Sequence, residues 1–207
     1  MTLPPQTSVF IVSAPSGSGK STLVRRLLDT VSGLLFSISY TTRPPRINEA
    51  NGVDYNFISK EDFERRRLED EFLECACVFG NYYGTSRLAL DRAIAEGKDL
   101  VLDIDVQGAR QLKVALPEAT SIFVLPPSRA VLEKRLRTRS QDPPEVIERR
   151  LRGAAEEVKK YKQYDYVLVN SDLEECAADL EAIVRVERLR RERMERRVQP
   201  IIDSFEV

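Results

Sequence analysis

The stretch Ser13-Ala14-Pro15-Ser16-Gly17-Ser18-Gly19-Lys20-Ser21-Thr22 follows the apolar run Val9-Phe10-Ile11-Val12 and opens an amphipathic helical pattern, which leaves little freedom in how the chain begins to fold. It reads as a strand, a glycine-rich turn and a helix N-terminus. Glycines let successive backbone N–H groups converge on one anion, the first helical turn adds unpaired donors and a positive dipole end, and Lys20 adds a point charge. The Ser21 hydroxyl suits a Mg²⁺ ion bridging two phosphates, as in the pattern G-x-x-x-x-G-K-[ST], so the stretch is expected to cradle a triphosphate. Ala14 stands where that pattern has its first glycine, which is tolerated as long as the residue keeps φ below zero.

Around this loop the chain alternates strand and helix. Leu23, Val24, Leu27, Leu28 and Val31 recur at helical spacing over residues 20–31, so one face packs on a sheet. A second strand over residues 34–39 runs into Tyr40-Thr41-Thr42-Arg43-Pro44-Pro45-Arg46, where prolines end regular structure and hold two arginines on a stiff loop. From residue 47 to 87 the pattern changes to short alternating strands, a charged helix over 59–69 and a turn at Gly80-Asn81-Tyr82-Tyr83-Gly84-Thr85, as in an inserted subdomain. After a helix ending near Gly97, Leu100-Val101-Leu102-Asp103-Ile104-Asp105-Val106 reads as a buried parallel strand whose aspartates reach a site at its C-terminal end. Residues 107–116 read as a helix closed by Pro117, and Ser121-Ile122-Phe123-Val124-Leu125 as the next central strand. An arginine-rich helical hairpin follows to about residue 162, broken at 138–144, with Arg135, Arg139, Arg149 and Arg150 at its tip, as expected of a mobile lid. Tyr166-Val167-Leu168-Val169-Asn170 reads as one more buried strand, and residues 173–197 as a single long helix with a basic end. The fold class is therefore α/β, with a central parallel sheet and helices on both faces. Residues 1–38, 88–136 and 152–207 would form this core, 39–87 a small mixed insertion and 137–151 a helical lid.

Lys and Arg (32) nearly cancel Asp and Glu (33), so no whole-chain field argues for nucleic acid as a partner, and any anion site is local. Residues 1–7 carry neither a basic region nor a long apolar run, and no later stretch is apolar enough to cross a bilayer; a cytoplasmic protein without a membrane partner is expected. Cys75, Cys77 and Cys176 have spacings that fit neither a disulfide framework nor a zinc site, and are expected to be reduced and structural. The chain has no His, which steers it toward chemistry that needs no neutral-pH acid–base group.

Glycine-rich phosphate loops serve switches, motors and kinases alike, and here the extra arginines choose among them. Arg43 and Arg46 on one side and Arg135, Arg139 and Arg150 on the other can flank the same cradle, one group gripping an acceptor phosphate and the other the triphosphate being broken. That layout fits a nucleoside monophosphate kinase. Its attacking group is a phosphate oxygen that is already ionised at neutral pH, so the absence of His is no handicap.

The chain resembles the guanylate kinases over about residues 8–189. The resemblance rests on Ala14-Pro15-Ser16-Gly17-Ser18-Gly19-Lys20-Ser21, Ser39-Tyr40-Thr41-Thr42-Arg43-Pro44-Pro45-Arg46, Gly52-Val53-Asp54-Tyr55, Glu71-Phe72-Leu73-Glu74, Gly80-Asn81-Tyr82-Tyr83-Gly84-Thr85, Leu102-Asp103-Ile104-Asp105-Val106-Gln107-Gly108 and Val169-Asn170-Ser171-Asp172. The Ala-Pro-Ser start is similar to the bacterial branch. Membership would imply the P-loop nucleoside monophosphate kinase fold and direct in-line transfer of the ATP γ-phosphoryl group to GMP, giving GDP and ADP, with Mg²⁺. By matching positions, residues 14–22 would bind ATP, with Ser21 on Mg²⁺ and Asp103 reaching that ion through water. Lys20, Arg43, Arg135, Arg139 and Arg150 would be catalytic. Ser39, Arg43, Arg46, Tyr55 and Tyr83 would hold the GMP phosphate, and Glu74, Thr85 and Asp105 would read the guanine. Guanine presents N1–H and N2–H₂ side by side to a carboxylate, while a hydroxyl can donate to O6; adenine offers the carboxylate an acceptor at N1 instead.

Some alternatives stay open at this point. Asp103 equally fits a buried strand-end acid satisfied by backbone donors, Tyr82 and Tyr83 can be core aromatics, and Arg149 reads as part of a solvated helix face. Arg137-Thr138-Arg139-Ser140 departs from the family's Arg-x-Arg-Gly, and Ser171 stands where many members have Asp. The rival functions are a guanylate-kinase-like interaction module without catalysis, expected to have a damaged loop, and a kinase for another monophosphate. A homo-oligomer is allowed for by the long C-terminal helix.

Overall fold

Strand β1 (Val9–Ser13) is buried at every position, which requires strands on both sides of it and helices on both faces. The computed structural model describes residues 3–4, 7–139 and 143–205, the side chain of residue 139 excepted. In it β1 is the centre of a five-stranded sheet, between β7 (Asp99–Asp103) and β8 (Thr120–Leu125), with β2 (Leu34–Ser37) and β9 (Tyr166–Val169) at the edges. Every pairing is parallel. Alternate residues of β1 feed two cores. Phe10 and Val12 meet α1 (Lys20–Thr30) and α7 (Leu173–Arg188), while Val9 and Ile11 meet α3 (Arg87–Glu96) and α4 (Val106–Ala115).

The insertion is a second, mixed sheet. Its strands β3 (Tyr40–Thr41), β4 (Asn56–Phe57), β5 (Phe72–Val78) and β6 (Asn81–Ser86) lie in the order β4-β3-β6-β5. Helix α2 (Lys60–Leu68), capped by the Ser59 hydroxyl, buries Phe63 against the rings of Phe72 and Tyr82, 4.7 and 5.3 Å away. Helices α5 (Arg129–Arg139) and α6 (Pro144–Val158) pack together through Leu132, Leu136, Ile147, Leu151 and Ala154. Residues 140–142, including the Ser140 departure, lie outside the described residues.

The element order matches the sequence pattern, and five details differ. Strand β7 stops at Asp103, because Asp105 Oδ1 accepts the Gln107 and Gly108 N–H groups and turns the chain into α4. The strand expected over 34–39 ends at Ser37, since Tyr40 and Thr41 pair within the insertion's sheet. Strand β9 is an edge with Val167 and Val169 exposed, not a buried strand. The second helix of the arginine-rich hairpin ends at Val158, and residues 159–163 form a tighter 3₁₀ turn. The single long C-terminal helix is two, α7 and α8 (Arg191–Asp203). No Gly or Pro marks the break. Arg190 is extended, its guanidinium bonds the buried Glu187 at 2.6 and 2.9 Å, and Arg193 donates to Thr7 O at 2.9 Å, which swings the chain onto the far end of the core. Among the described residues no helix is long and apolar enough to cross a membrane.

Candidate functional site

The loop after β1 turns where Pro15 O accepts the Ser18 N–H at 3.1 Å. Gly17 and Gly19 have φ of 94° and 92°, and neither has room for a side chain: a Cβ would lie 2.8 Å from Leu136 Cδ2 at Gly17 and 2.4 Å from Asn170 Nδ2 at Gly19. Helix α5 and the segment after β9 therefore pack directly against the loop. Ala14 keeps φ below zero and its methyl joins the core beneath α1, so the loop tolerates the missing glycine. Asn170 Nδ2 donates to Ser18 O at 2.7 Å; Arg135 donates to Ser18 O at 3.3 Å and to Asn170 O at 3.0 Å. Arg150 donates to Ser16 Oγ at 2.6 Å. Arg135 and Arg150 thus stand against the loop rather than at the hairpin tip, while the side chain of Arg139 lies outside the described residues. Ser18 Oγ is buried without a protein partner, and Thr22 is exposed on α1.

Lys20 Nζ lies 2.5 Å from Asp103 Oδ1 and donates to Ile104 O at 2.8 Å, and Ser21 Oγ donates to Asp103 Oδ2 at 2.8 Å. The partners of Asp103 are therefore the loop's own cation and hydroxyl, not backbone donors. A hydroxyl and a carboxylate are hard oxygen ligands, and no cluster of three or more His, Cys, Asp or Glu suited to a metal occurs among the described residues. This donor set fits Mg²⁺, which usually takes one or two protein groups and fills its remaining positions with phosphate oxygens and water.

Across the cleft, alternation along β6 sends its adjacent tyrosines to opposite faces. Tyr82 stacks on Phe63 in the insertion's core, whereas Tyr83 meets Tyr55 edge-on at 5.9 Å. The Arg43 guanidinium lies over Tyr55, 5.4 Å from its ring centre, and its Nη2 donates to both oxygens of Glu49 at 2.9 and 2.8 Å. The Arg46 N–H donates to the same carboxylate at 2.8 Å, while its side chain is 66% exposed. Glu49 thus organises both arginines. Its signal in the sequence is slight: it is the lone acid between Arg43 and Asp54. Ser39 is buried where β2 hands over to β3, its carbonyl accepting the Asn56 N–H at 2.9 Å. The Tyr55 hydroxyl is pushed up to about 12, first by burial and then by the negative charge of Asp103. The insertion and the phosphate loop therefore share one electrostatic field.

Glu74 is 5% exposed, and Thr85 Oγ1 donates to its Oε1 at 2.7 Å. Burial pushes the Glu74 carboxyl up to about 7, against the Thr85 hydrogen bond and with the help of the Asp105 charge. Asp105 is fixed beside it as the N-cap of α4. Nothing in the sequence distinguishes Glu157 from neighbouring acids, yet its carboxyl is also pushed up to about 7, by burial and by Asp105, with Lys20 and Lys160 opposing. Arg149 is not solely solvated: its guanidinium lies over Phe79 of the β5–β6 turn, 5.3 Å from the ring centre, so α6 touches the insertion.

The family model described as guanylate kinase matches residues 6–187. A protein named guanylate kinase from Neisseria gonorrhoeae is 54% identical over 186 residues, which cover 90% of this chain and 91% of its own. Another so named, from Escherichia coli, is 47% identical over 202 residues, covering 97% of this chain and 98% of its own. Among solved structures, the crystal structure of guanylate kinase from Anaplasma phagocytophilum aligns with a TM-score of 0.77 at 36% identity, covering 90% of this chain and 89% of that one.

Proposed function

Because the chain belongs to the guanylate kinase family, we propose a division of labour for phosphoryl transfer from ATP to GMP between the two sides of the cleft. On the donor side the amides of residues 14–22 and Lys20 hold the β- and γ-phosphates, and Arg135, Arg139 and Arg150 neutralise the charge that passes between the nucleotides. Ser21, with Asp103 through water, is the pair suited to Mg²⁺, which when bound with the nucleotide supplies further neutralisation of phosphate charge. On the acceptor side Ser39, Arg43, Arg46, Tyr55 and Tyr83 grip the GMP phosphate, so that one of its ionised oxygens is aimed at the γ-phosphorus. Glu74 and Thr85, with Asp105 beside them, read the base.

The observation that carries this reading is the buried Glu74–Thr85 pair, 2.7 Å apart. A carboxylate this enclosed is costly without donors to meet it, and guanine brings two. Charge-assisted hydrogen bonds contribute about 1.5–3 kcal/mol each, so losing the pair to adenine discriminates by powers of ten. The joined Lys20, Ser21 and Asp103 side chains speak against a non-catalytic interaction module. ADP formation measured with GMP, AMP, CMP and UMP as acceptors tests the reading: turnover with GMP alone is expected. No turnover with any acceptor favours the module, and a preference for AMP overturns the role of Glu74.

The division into core, insertion over 39–87 and lid over 137–151 belongs to the same reading. It draws support from the insertion's separate sheet and from the separate apolar cluster between α5 and α6, while the Arg25–Asp54 ion pair at 2.8 Å and Arg149 over Phe79 join the parts. Closure of these parts would keep water from the γ-phosphate. The free thiols of Cys75, Cys77 and Cys176 support a reducing, cytoplasmic setting. For self-association the support is the exposed Ile201, Ile202 and Phe205 at the end of the chain.

A further inference from the structure

Helix α4 of the core runs along β5, the outer strand of the insertion's sheet, and its side chains bond that strand as a neighbouring strand would. Gln111 Nε2 donates to Cys75 O at 2.7 Å while its Oε1 accepts the Cys75 N–H at 3.3 Å, and Gln107 Nε2 donates to Cys77 O at 3.3 Å. Four residues of helix rise about 6 Å and two residues of strand about 6.6 Å, so glutamines at i and i+4 match alternate strand residues running the opposite way. Gly108 lies between them in sequence. A Cβ added there would sit 2.4 Å from Glu74 Oε2 and 2.9 Å from Glu74 Cδ. The Glu74 carboxylate thus fills the space that a side chain at position 108 would take, and Thr85 holds its other oxygen from the opposite strand.

We propose that Gly108 is a specificity-determining position: its missing side chain, on a helix pinned to β5 by Gln107 and Gln111, sets the Glu74 carboxylate where it accepts both N1–H and N2–H₂ of guanine. This rests on the assignment of Glu74 to the base made above. The group that a methyl at position 108 meets is the far end of a flexible side chain, so the carboxylate moves and the helix does not. Alanine is also the better helix former, which offsets the strain of displacing the buried Glu74, so selectivity should fall without a matching loss of stability.

The test compares Gly108→Ala, Glu74→Gln and Gln111→Ala with the unaltered full chain, using GMP and inosine monophosphate, which lacks the 2-amino group, as acceptors. Gly108→Ala should lower the preference for GMP by about tenfold or more, the equivalent of one charge-assisted hydrogen bond, through KM for GMP. Its KM for ATP should change by less than about twofold, because the donor side is untouched, and its Tm should not fall. Glu74→Gln should lower the same preference, and Gln111→Ala should do so by a smaller factor without adding bulk. If Gly108→Ala keeps the preference while Glu74→Gln loses it, the inference is overturned and the assignment of Glu74 stands. If Glu74→Gln keeps the preference, that assignment fails and the inference fails with it. A fall in Tm for Gly108→Ala without a change in preference, or full preference in Gln111→Ala, also counts against it.

Discussion

The two sides of the cleft are built differently. The donor side is mostly backbone: Gly17 and Gly19 have positive φ with other groups in the space that a Cβ would take, and Asn170 and Arg135 brace the Ser18 carbonyl from outside. The acceptor side is mostly side chains gathered from separate elements, Arg43 after β3, Tyr55 before β4, Glu74 on β5, and Tyr83 and Thr85 on β6. Backbone recognition suits a phosphate chain that every nucleoside triphosphate shares. Side-chain recognition suits the choice of one base. The first tolerates no bulk at two glycines, whereas the second depends on the placement of a single carboxylate.

If the sides are this distinct, substitutions should separate them. The largest effect is expected from Lys20→Ala, which removes the charge that pairs with Asp103 and that is proposed to hold the transferring phosphates: kcat should fall by about a thousandfold or more in a coupled ADP assay. Glu74→Gln should act on the other side, raising KM for GMP by about 10- to 100-fold while KM for ATP stays put in the same assay. An equal rise in both constants would erase the distinction. A third prediction concerns pH. The proposed guanine contact needs charged Glu74, whose carboxyl burial pushes up to about 7, so KM for GMP should rise as pH falls below that value, by up to about tenfold per pH unit. Burial also pushes the Glu157 carboxyl up to about 7, where the charges of Asp105 and Lys20 act on it. Glu74→Gln should therefore leave in the pH profile of KM for GMP only the slope of the GMP phosphate's own second ionisation, at about pH 6, and Glu157→Gln should leave the full slope. The smallest effect is expected from Glu49→Ala, which frees Arg43 and Arg46 from their shared carboxylate. KM for GMP should rise by about threefold to tenfold as the guanidinium loses its fixed direction; unchanged kinetics would show that Pro44 O, Tyr55 and Phe57 suffice to orient Arg43.

The same contrast explains what was legible in the sequence. Strand, loop and first helix could be read directly, because a contiguous run carried the apolar stretch, both glycines and Lys20. Even the condition on Ala14, a φ below zero, followed from sterics. On the acceptor side Arg43 and Arg46 could be read from their proline-stiffened loop. The base-reading residues could be reached only through resemblance, since Glu74 is one acid among many and its surroundings include Thr85 on the paired strand and Gly108 from a distant helix. The choice between Tyr82 and Tyr83 needed the strand's alternation, and Arg149 looked solvated because Phe79 approaches it from another part of the chain. The break between α7 and α8 left no local mark, because a buried Glu187 held by Arg190 makes it, not a glycine or proline. Contacts that join remote residues to a side chain have no periodicity for a sequence pattern to reveal.

That the cleft has two separable sides is tested most directly by titrating GMP calorimetrically into Lys20→Ala. Its Kd for GMP should stay within about threefold of that of the unaltered chain although turnover is lost. A loss of GMP affinity on the scale of the loss of turnover would contradict the account, because Lys20 would then serve both phosphates.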